Sequence, residues 1–202
     1  VNDPLLIAGL GNPGEKYRET RHNAGFLVLE SLASLWRVDW RDERRFSSLV
    51  ARAERMGRTV WLLQPQTYMN ASGEAVGALA RYYRVEPTRI LVVVDDADLP
   101  LGTVRLRPGG SPGGHHGLES VEEHLGTREY PRLRVGIGRR DEGLREITGH
   151  VLGRFSGEEW DIFERVRRHA VAQLNEWLDN GIQKAMARFN GPVEGMSKKE
   201  AL

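Results

Sequence analysis

Two residues stand out for chemistry they could share. His22 lies in Arg21-His22-Asn23-Ala24-Gly25-Phe26, at the mouth of a helical stretch, and Asp95 follows the β-branched run Ile90–Val94. A carboxylate facing an imidazole fixes its tautomer and stabilises the imidazolium formed when the ring takes a proton. Asp95 also ends a strand that reads as central, and open α/β sheets bind ligands at the carboxyl ends of such strands. Plainer roles exist for each: a capping or packing histidine, and a solvated turn or helix cap at Asp95-Asp96. The other polar candidates are amides. Asn12 sits in Gly9-Leu10-Gly11-Asn12-Pro13-Gly14, and Asn70 in Thr67-Tyr68-Met69-Asn70-Ala71-Ser72-Gly73, between a strand and a helix. Asn70 suits a helix N-cap as well as an amide that holds a peptide backbone through its donor and acceptor.

Several other chemistries find no support. Residues 9–14 satisfy G-x-G-x-x-G directly after a strand, but a dinucleotide site also needs a helix opening inside the motif. Glu15 to Arg21 has no apolar stripe to pack one, so the glycines are read as allowing a sharp turn that presents Asn12 in a cleft. No metal is expected, because His22, His115, His116 and Asp95 show no ligand spacing and vicinal histidines seldom share an ion. The G-x-S-x-G elbow of serine hydrolases is absent. What remains is a water-activating histidine surrounded by amides. Arg105, Arg107, Arg132 and Arg134 lie on two alternating stretches. They form either a solvated sheet face or, if the strands adjoin, a cationic patch suited to phosphate. The glycine-rich stretch 109–117 between them could bring backbone N–H groups to a nucleic-acid terminus.

The elements that must position these groups are legible as periodicities. Leu5–Leu10 and Ile90–Val94 read as buried strands. Residues 47–55 and 59–64 flank Met56-Gly57-Arg58 as a hairpin. Helical spacing begins at Asn23, a candidate cap, and recurs over about 72–84 and from near Leu118. Ser156-x-x-Glu159 is a capping box opening a long helix that Asn180-Gly181 stops, and a further helical turn or two runs to Phe189. The pattern predicts one α/β domain over 1–190, with a twisted mixed, largely parallel sheet flanked by helices, and a polar, flexible tail over 191–202. The 202 residues carry a net charge of +1, which excludes a generally polycationic nucleic-acid binder but not a local basic surface. With no cysteine there is no disulfide framework and no thiolate chemistry. No apolar run is long enough to span a membrane, and the opening Val1-Asn2-Asp3-Pro4 does not read as a secretory signal; a cytoplasmic setting is expected.

Together these segments resemble the bacterial peptidyl-tRNA hydrolase family, almost end to end. The resemblance rests on the 9–14 turn, Thr20-Arg21-His22-Asn23-Ala24-Gly25, Met69-Asn70-x-Ser72-Gly73 and Asp95-x-x-Asp98-Leu99-Pro100-x-Gly102. Gly113-Gly114-His115-x-Gly117-Leu118, Arg132-Leu133-Arg134-x-Gly136-Ile137-Gly138 and Gly181-Ile182-x-Lys184-Ala185 extend it. It implies a monomeric, cofactor-independent hydrolase that cleaves the ester joining a peptide to the 3′ end of tRNA, with the CCA end and acceptor stem as partner. By position it implies His22 as catalytic base and Asp95 as its orienting carboxylate. Asn12 and Asn70 match substrate amides, Tyr17 and Met69 match cleft positions, and Arg107 and Arg134 match a phosphate-binding pair, beside which Arg105 extends the basic patch. His116 stands where the family carries a site asparagine, whose contacts its ring is expected to supply. A non-catalytic RNA-binding protein of the same fold is the alternative, and the presence of Asn12, His22, Asn70 and Asp95 speaks for the enzyme.

Overall fold

The computed structural model describes residues 3–138 and 144–193. Eight strands form one mixed sheet in the order β2-β3-β4-β1-β5-β7-β6-β8. β1 (Leu5–Gly9), β4 (Arg58–Pro65), β5 (Ile90–Asp96) and β7 (Arg132–Gly136) are the parallel centre. β2 (Arg41–Glu43), β3 (Ser48–Arg55), β6 (Thr103–Arg107) and β8 (Gly191–Pro192) complete it with antiparallel pairings. The unbroken apolar runs of β1 and β5 follow from this, since a central strand is covered on both faces. On one face α1 (Ala24–Trp36), α5 (Gly157–Asn180) and α6 (Ile182–Phe189) share a core with Ile7, Leu91, Val93 and Leu133. On the other, α2 (Ser72–Tyr83) and α3 (His116–Leu125) pack over Leu6, Ala8, Val92 and Val94. The expected single α/β domain with helices flanking the sheet is what the chain forms. Among the described residues no helix is long and apolar enough to cross a membrane.

Local chemistry explains the ends of elements. Ser156 accepts from the Glu159 N–H while the Glu159 carboxylate accepts from the Ser156 N–H, so the expected capping box is complete. Asn23 does not cap α1. Its backbone (φ −93°, ψ 13°) lies outside the extended region a cap needs, and its side chain instead accepts from the Asn12 N–H and donates to the Asn12 carbonyl. The 9–14 turn is followed only by a three-residue 3-10 turn, Glu15–Tyr17, so no helix opens where a pyrophosphate would need one. Its first two glycines serve close approach rather than turning, for Gly14 alone of the three has a positive φ. A Cβ on Gly9 would fall 2.3 Å from the Gly25 carbonyl oxygen, and one on Gly11 2.8 Å from the Phe26 ring.

One expectation is corrected at the chain's end, and one element ahead of the capping box went unread in the sequence. Gly191 and Pro192, expected in the flexible tail, extend the sheet, because Asn190 hydrogen-bonds both the N–H and the carbonyl of Leu106 and leads the chain onto β6. Residues 194–202 of that tail lie outside the described residues. A short helix not foreseen from the sequence, α4 (Leu144–Val151), precedes the capping box.

Another close glycine contact also aims the site. A Cβ on Gly25 would meet the Val93 carbonyl oxygen at 2.4 Å and Leu10 backbone atoms at 2.6 Å, so α1 must retreat from the ends of β1 and β5. Gly25→Ala should therefore lose about 1–3 kcal/mol, the usual cost of overpacking, together with activity. Urea denaturation checks this, and unchanged stability would show that the approach tolerates a methyl group.

Candidate active site

A cleft of about 640 Å³ lies over the carboxyl ends of the central strands, where Asn12, His22, Met69, Asn70 and Asp95 come together. Asp95 ends β5 and is 2% exposed. Its Oδ1 lies 2.9 Å from His22 Nδ1 and 3.1 Å from His115 Nε2. A carboxylate oxygen can only accept, so each imidazole donates. His22 arrives on the 3-10 turn Arg21–Asn23, held against β5 by the Gly9–Gly25 approach. With Nδ1–H committed to Asp95, neutral His22 is left with a lone pair on Nε2.

His115 is the residue the sequence reading passed over. It occupies the N-cap of α3, where its Nδ1 accepts from the N–H groups of Gly117 and Leu118. That fixes the proton on Nε2, directed at Asp95. His116, expected to supply substrate contacts, is the first residue of α3. It lines the cleft at its rim, its side chain 76% exposed and paired with Glu119. The His22, Asp95 and His115 ligand atoms lie within 4.8 Å of one another, the only arrangement among the described residues that suggests a metal. It fits one poorly, since the α3 cap keeps the His115 Nε2 lone pair occupied by a proton while a metal ligand must offer it free.

The two amides differ in their attachment. Asn12 Oδ1 accepts from the Met69 N–H at 2.8 Å, which fixes the flip of the amide and leaves its NH₂ for the cleft. Asn70 is exposed and caps nothing, because α2 begins after Ala71 with no side-chain cap. Met69 is buried beneath the cleft, its Sδ in the space that Gly117 leaves open. Tyr17, expected in the cleft, is not among its lining residues; an aromatic is supplied instead by Tyr68, 61% exposed. Thr148, Val151 and Leu152 of the α4 region form the opposite wall.

β6 and β7 do adjoin, with Arg105 opposite Arg134 and Arg107 opposite Arg132. The four arginines are not one exposed patch. Arg132 is 1% exposed, stacked 4.1 Å over the Tyr130 ring and bonded to the carbonyls of Gly110 and Arg128. Arg134 spans Asp96 and the carbonyls of Ser111 and Pro112. This inner pair holds the glycine-rich loop in place, and Arg105 and Arg107 are left as the exposed cations beside it.

Burial works against a charged His22, yet the Asp95 charge and hydrogen bond outweigh it and raise the His22 pKa above that of ordinary histidine. Burial alone would raise Asp95, but the two imidazoles hold it well below the usual carboxylate range.

A model of the family described as Peptidyl-tRNA hydrolase matches residues 6–200. The peptidyl-tRNA hydrolase of Synechocystis sp. is 48% identical over 187 residues, covering 93% of this chain and 96% of that one. That of Trichlorobacter lovleyi is 47% identical over 188 residues, covering 93% and 96%. Among solved structures, peptidyl-tRNA hydrolase from Acinetobacter baumannii superposes with a TM-score of 0.89 at 35% identity, covering 96% of this chain and 97% of that one.

The coupling is measurable in solution. Nitrogen-resolved NMR should show His115 protonated on Nε2 and bare on Nδ1 at neutral pH, with His22 titrating above ordinary histidine. Asp95→Asn should move the His22 titration downward, because the imidazolium loses its counter-charge. A His22 titration indifferent to that substitution would show the pair to be uncoupled.

Proposed function

Because this chain belongs to the peptidyl-tRNA hydrolase family and hydrolyses the ester between peptide and tRNA, we propose that His22 is the base that activates the attacking water. The observation that carries the proposal is the His22–Asp95 contact: Nδ1–H is consumed by a buried carboxylate, and Nε2 is the basic atom left to the cleft. Water bonded to Nε2 gives up a proton as its oxygen attacks the ester carbonyl. The carbonyl oxygen then carries negative charge, which the Asn12 NH₂ stabilises, with the Asn70 amide as a second donor; such fixed donors supply a large share of the acceleration. Collapse breaks the bond to the ribose oxygen. The imidazolium returns the proton to that oxygen, freeing the tRNA 3′-hydroxyl and a peptide carboxylic acid. Asp95 stabilises the imidazolium between these steps, and His115 keeps the carboxylate turned toward His22. No step calls for a cofactor.

The rest of the substrate follows from what surrounds the base. The 3′-terminal nucleotides enter between Tyr68 and the glycine-rich loop, where an exposed aromatic suits base stacking. Met69 floors the cleft. Arg105 and Arg107 take acceptor-stem phosphate, while Arg134, already engaged by Asp96 and loop carbonyls, sets the loop beside them. One chain supplies the whole site, consistent with a monomer working in the cytoplasm where peptidyl-tRNA arises.

His22→Ala should lower the single-turnover rate on N-acylated aminoacyl-tRNA by about two to four powers of ten, the usual worth of a general base, with tRNA affinity little changed. Near-normal turnover would dismiss His22 as the base. Arg105→Gln with Arg107→Gln should instead raise KM and flatten the salt dependence of kcat/KM, while leaving a minimal ester without the tRNA body nearly unaffected. Equal losses on the two substrates would point to a damaged fold rather than a lost phosphate contact.

A further inference from the structure

Arg21 directly precedes His22 yet turns away from the cleft, with its side chain only 5% exposed. Its Nη2 donates to Glu159 Oε2 at 2.6 Å, and its Nη1 to the His150 carbonyl at 3.3 Å. The guanidinium lies 5.3 Å from the Phe155 ring centre, and the Arg21 N–H donates to the Gly153 carbonyl. Glu159 Oε2 also accepts from the Ser156 N–H at 2.7 Å, and His150 Nε2 donates to the Gly138 carbonyl at 2.9 Å. One side chain thus joins the turn carrying His22, the end of α4 and the first turn of α5.

Cohesion alone explains this badly. The Arg21 Nε–H is buried with no partner, a cost that an apolar residue would avoid, and a buried ion pair is weak evidence of net stability. What only a forked, planar cation provides is a simultaneous grip on two elements. One of those elements, α4, continues into the wall that faces His22 across the cleft through Thr148, Val151 and Leu152.

We propose that Arg21 is a positioning residue for hydrolysis, holding the His22 turn and the α4 wall in one registration so that the base meets a confined ester. The proposal rests on His22 being the base. Misplacement of a base by about an ångström costs up to a hundredfold in rate, whereas binding through the outer phosphate contacts is untouched.

The test measures kcat and KM on N-acylated aminoacyl-tRNA, the His22 titration and thermal unfolding for Arg21→Ala, Arg21→Lys and Gly153→Ala. A Cβ on Gly153 would lie 2.9 Å from Arg21 Nη1, so this third variant disturbs the grip with the arginine still present. Arg21→Ala is expected to lose about tenfold or more in kcat with KM within about twofold. Its His22 titration should be unmoved, and millimolar guanidinium but not methylammonium should restore activity. Arg21→Lys should remain impaired, and Gly153→Ala should repeat the kcat loss. Normal kcat in a folded Arg21→Ala enzyme would overturn the proposal, as would a loss that guanidinium does not relieve or one explained by a shifted His22 titration. If Arg21→Ala fails to fold, Gly153→Ala with normal kcat overturns it. The premise fails separately, through an active His22→Ala enzyme.

Discussion

One oxygen atom organises this molecule. Asp95 Oδ1 receives N–H donors from His22 and His115, which reach it from opposite sides of the sheet end. His22 comes from the α1 side and His115 from the α3 cap. A carboxylate 2% exposed would be prohibitively costly without such partners, so the two imidazoles are required by the buried charge as much as the charge is by them. The glycines follow from the same demand. His22 reaches Asp95 only because α1 sits against β1 and β5 at a distance that excludes a Cβ at Gly9 and Gly25.

Strand alternation turns the neighbouring acids to separate tasks. Asp95 faces the α1 side like Leu91 and Val93, whereas Asp96 points with Ile90, Val92 and Val94 toward the other face. There it meets Arg134 at 3.3 Å and accepts from the Asp98 N–H. Thus consecutive carboxylates hold His22 and the arginine that ties the loop beside it. Arg132, one pair further along β7, ties the same loop from below. The glycine-rich stretch therefore owes its place to two arginines that spend their hydrogen bonds on carbonyls, which is why only the outer pair remains free.

Periodicity revealed β1 and β3 to β7, the hairpin, the long helix and the end of β5, because those depend on local pattern and burial, while β2 went unread. Motif order singled out His22, Asp95, Asn12 and Asn70, which come together in one cleft. The hidden parts are those decided by tertiary partners. Arg132 and Arg134 alternate in sequence like surface residues, and Tyr130, Asp96 and the loop carbonyls withdraw them. Asn23 has a capping residue's identity but is claimed by the Asn12 backbone. Gly191-Pro192 carries no strand signal and pairs because Asn190 imitates a strand against Leu106. Between His115 and His116 composition offers no choice. The available signal was position, since the residue just outside a helix has its side chain drawn back to the first amides while the next one points outward.

That helix end also distinguishes the two imidazoles, in favour of His22 as the proposed base. Both rings donate to the same carboxylate, and each has one further nitrogen. For His115 that nitrogen is Nδ1, and the Gly117 and Leu118 N–H groups occupy it. Taking a proton there would set two or three donors against one another, so the cap removes His115 from competition as a base. For His22 the spare nitrogen is Nε2, which meets no donor among the described residues, and His22 lines the cleft together with Asn12 and Asn70. A proton accepted at that point is stabilised by the Asp95 charge through the existing Nδ1–H bond, without rearrangement of either residue. The asymmetry between two chemically identical rings thus comes from the first backbone amides of α3, which have no intrahelical acceptor and turn to His115 instead, a feature of secondary structure that bears on the proposed proton transfer.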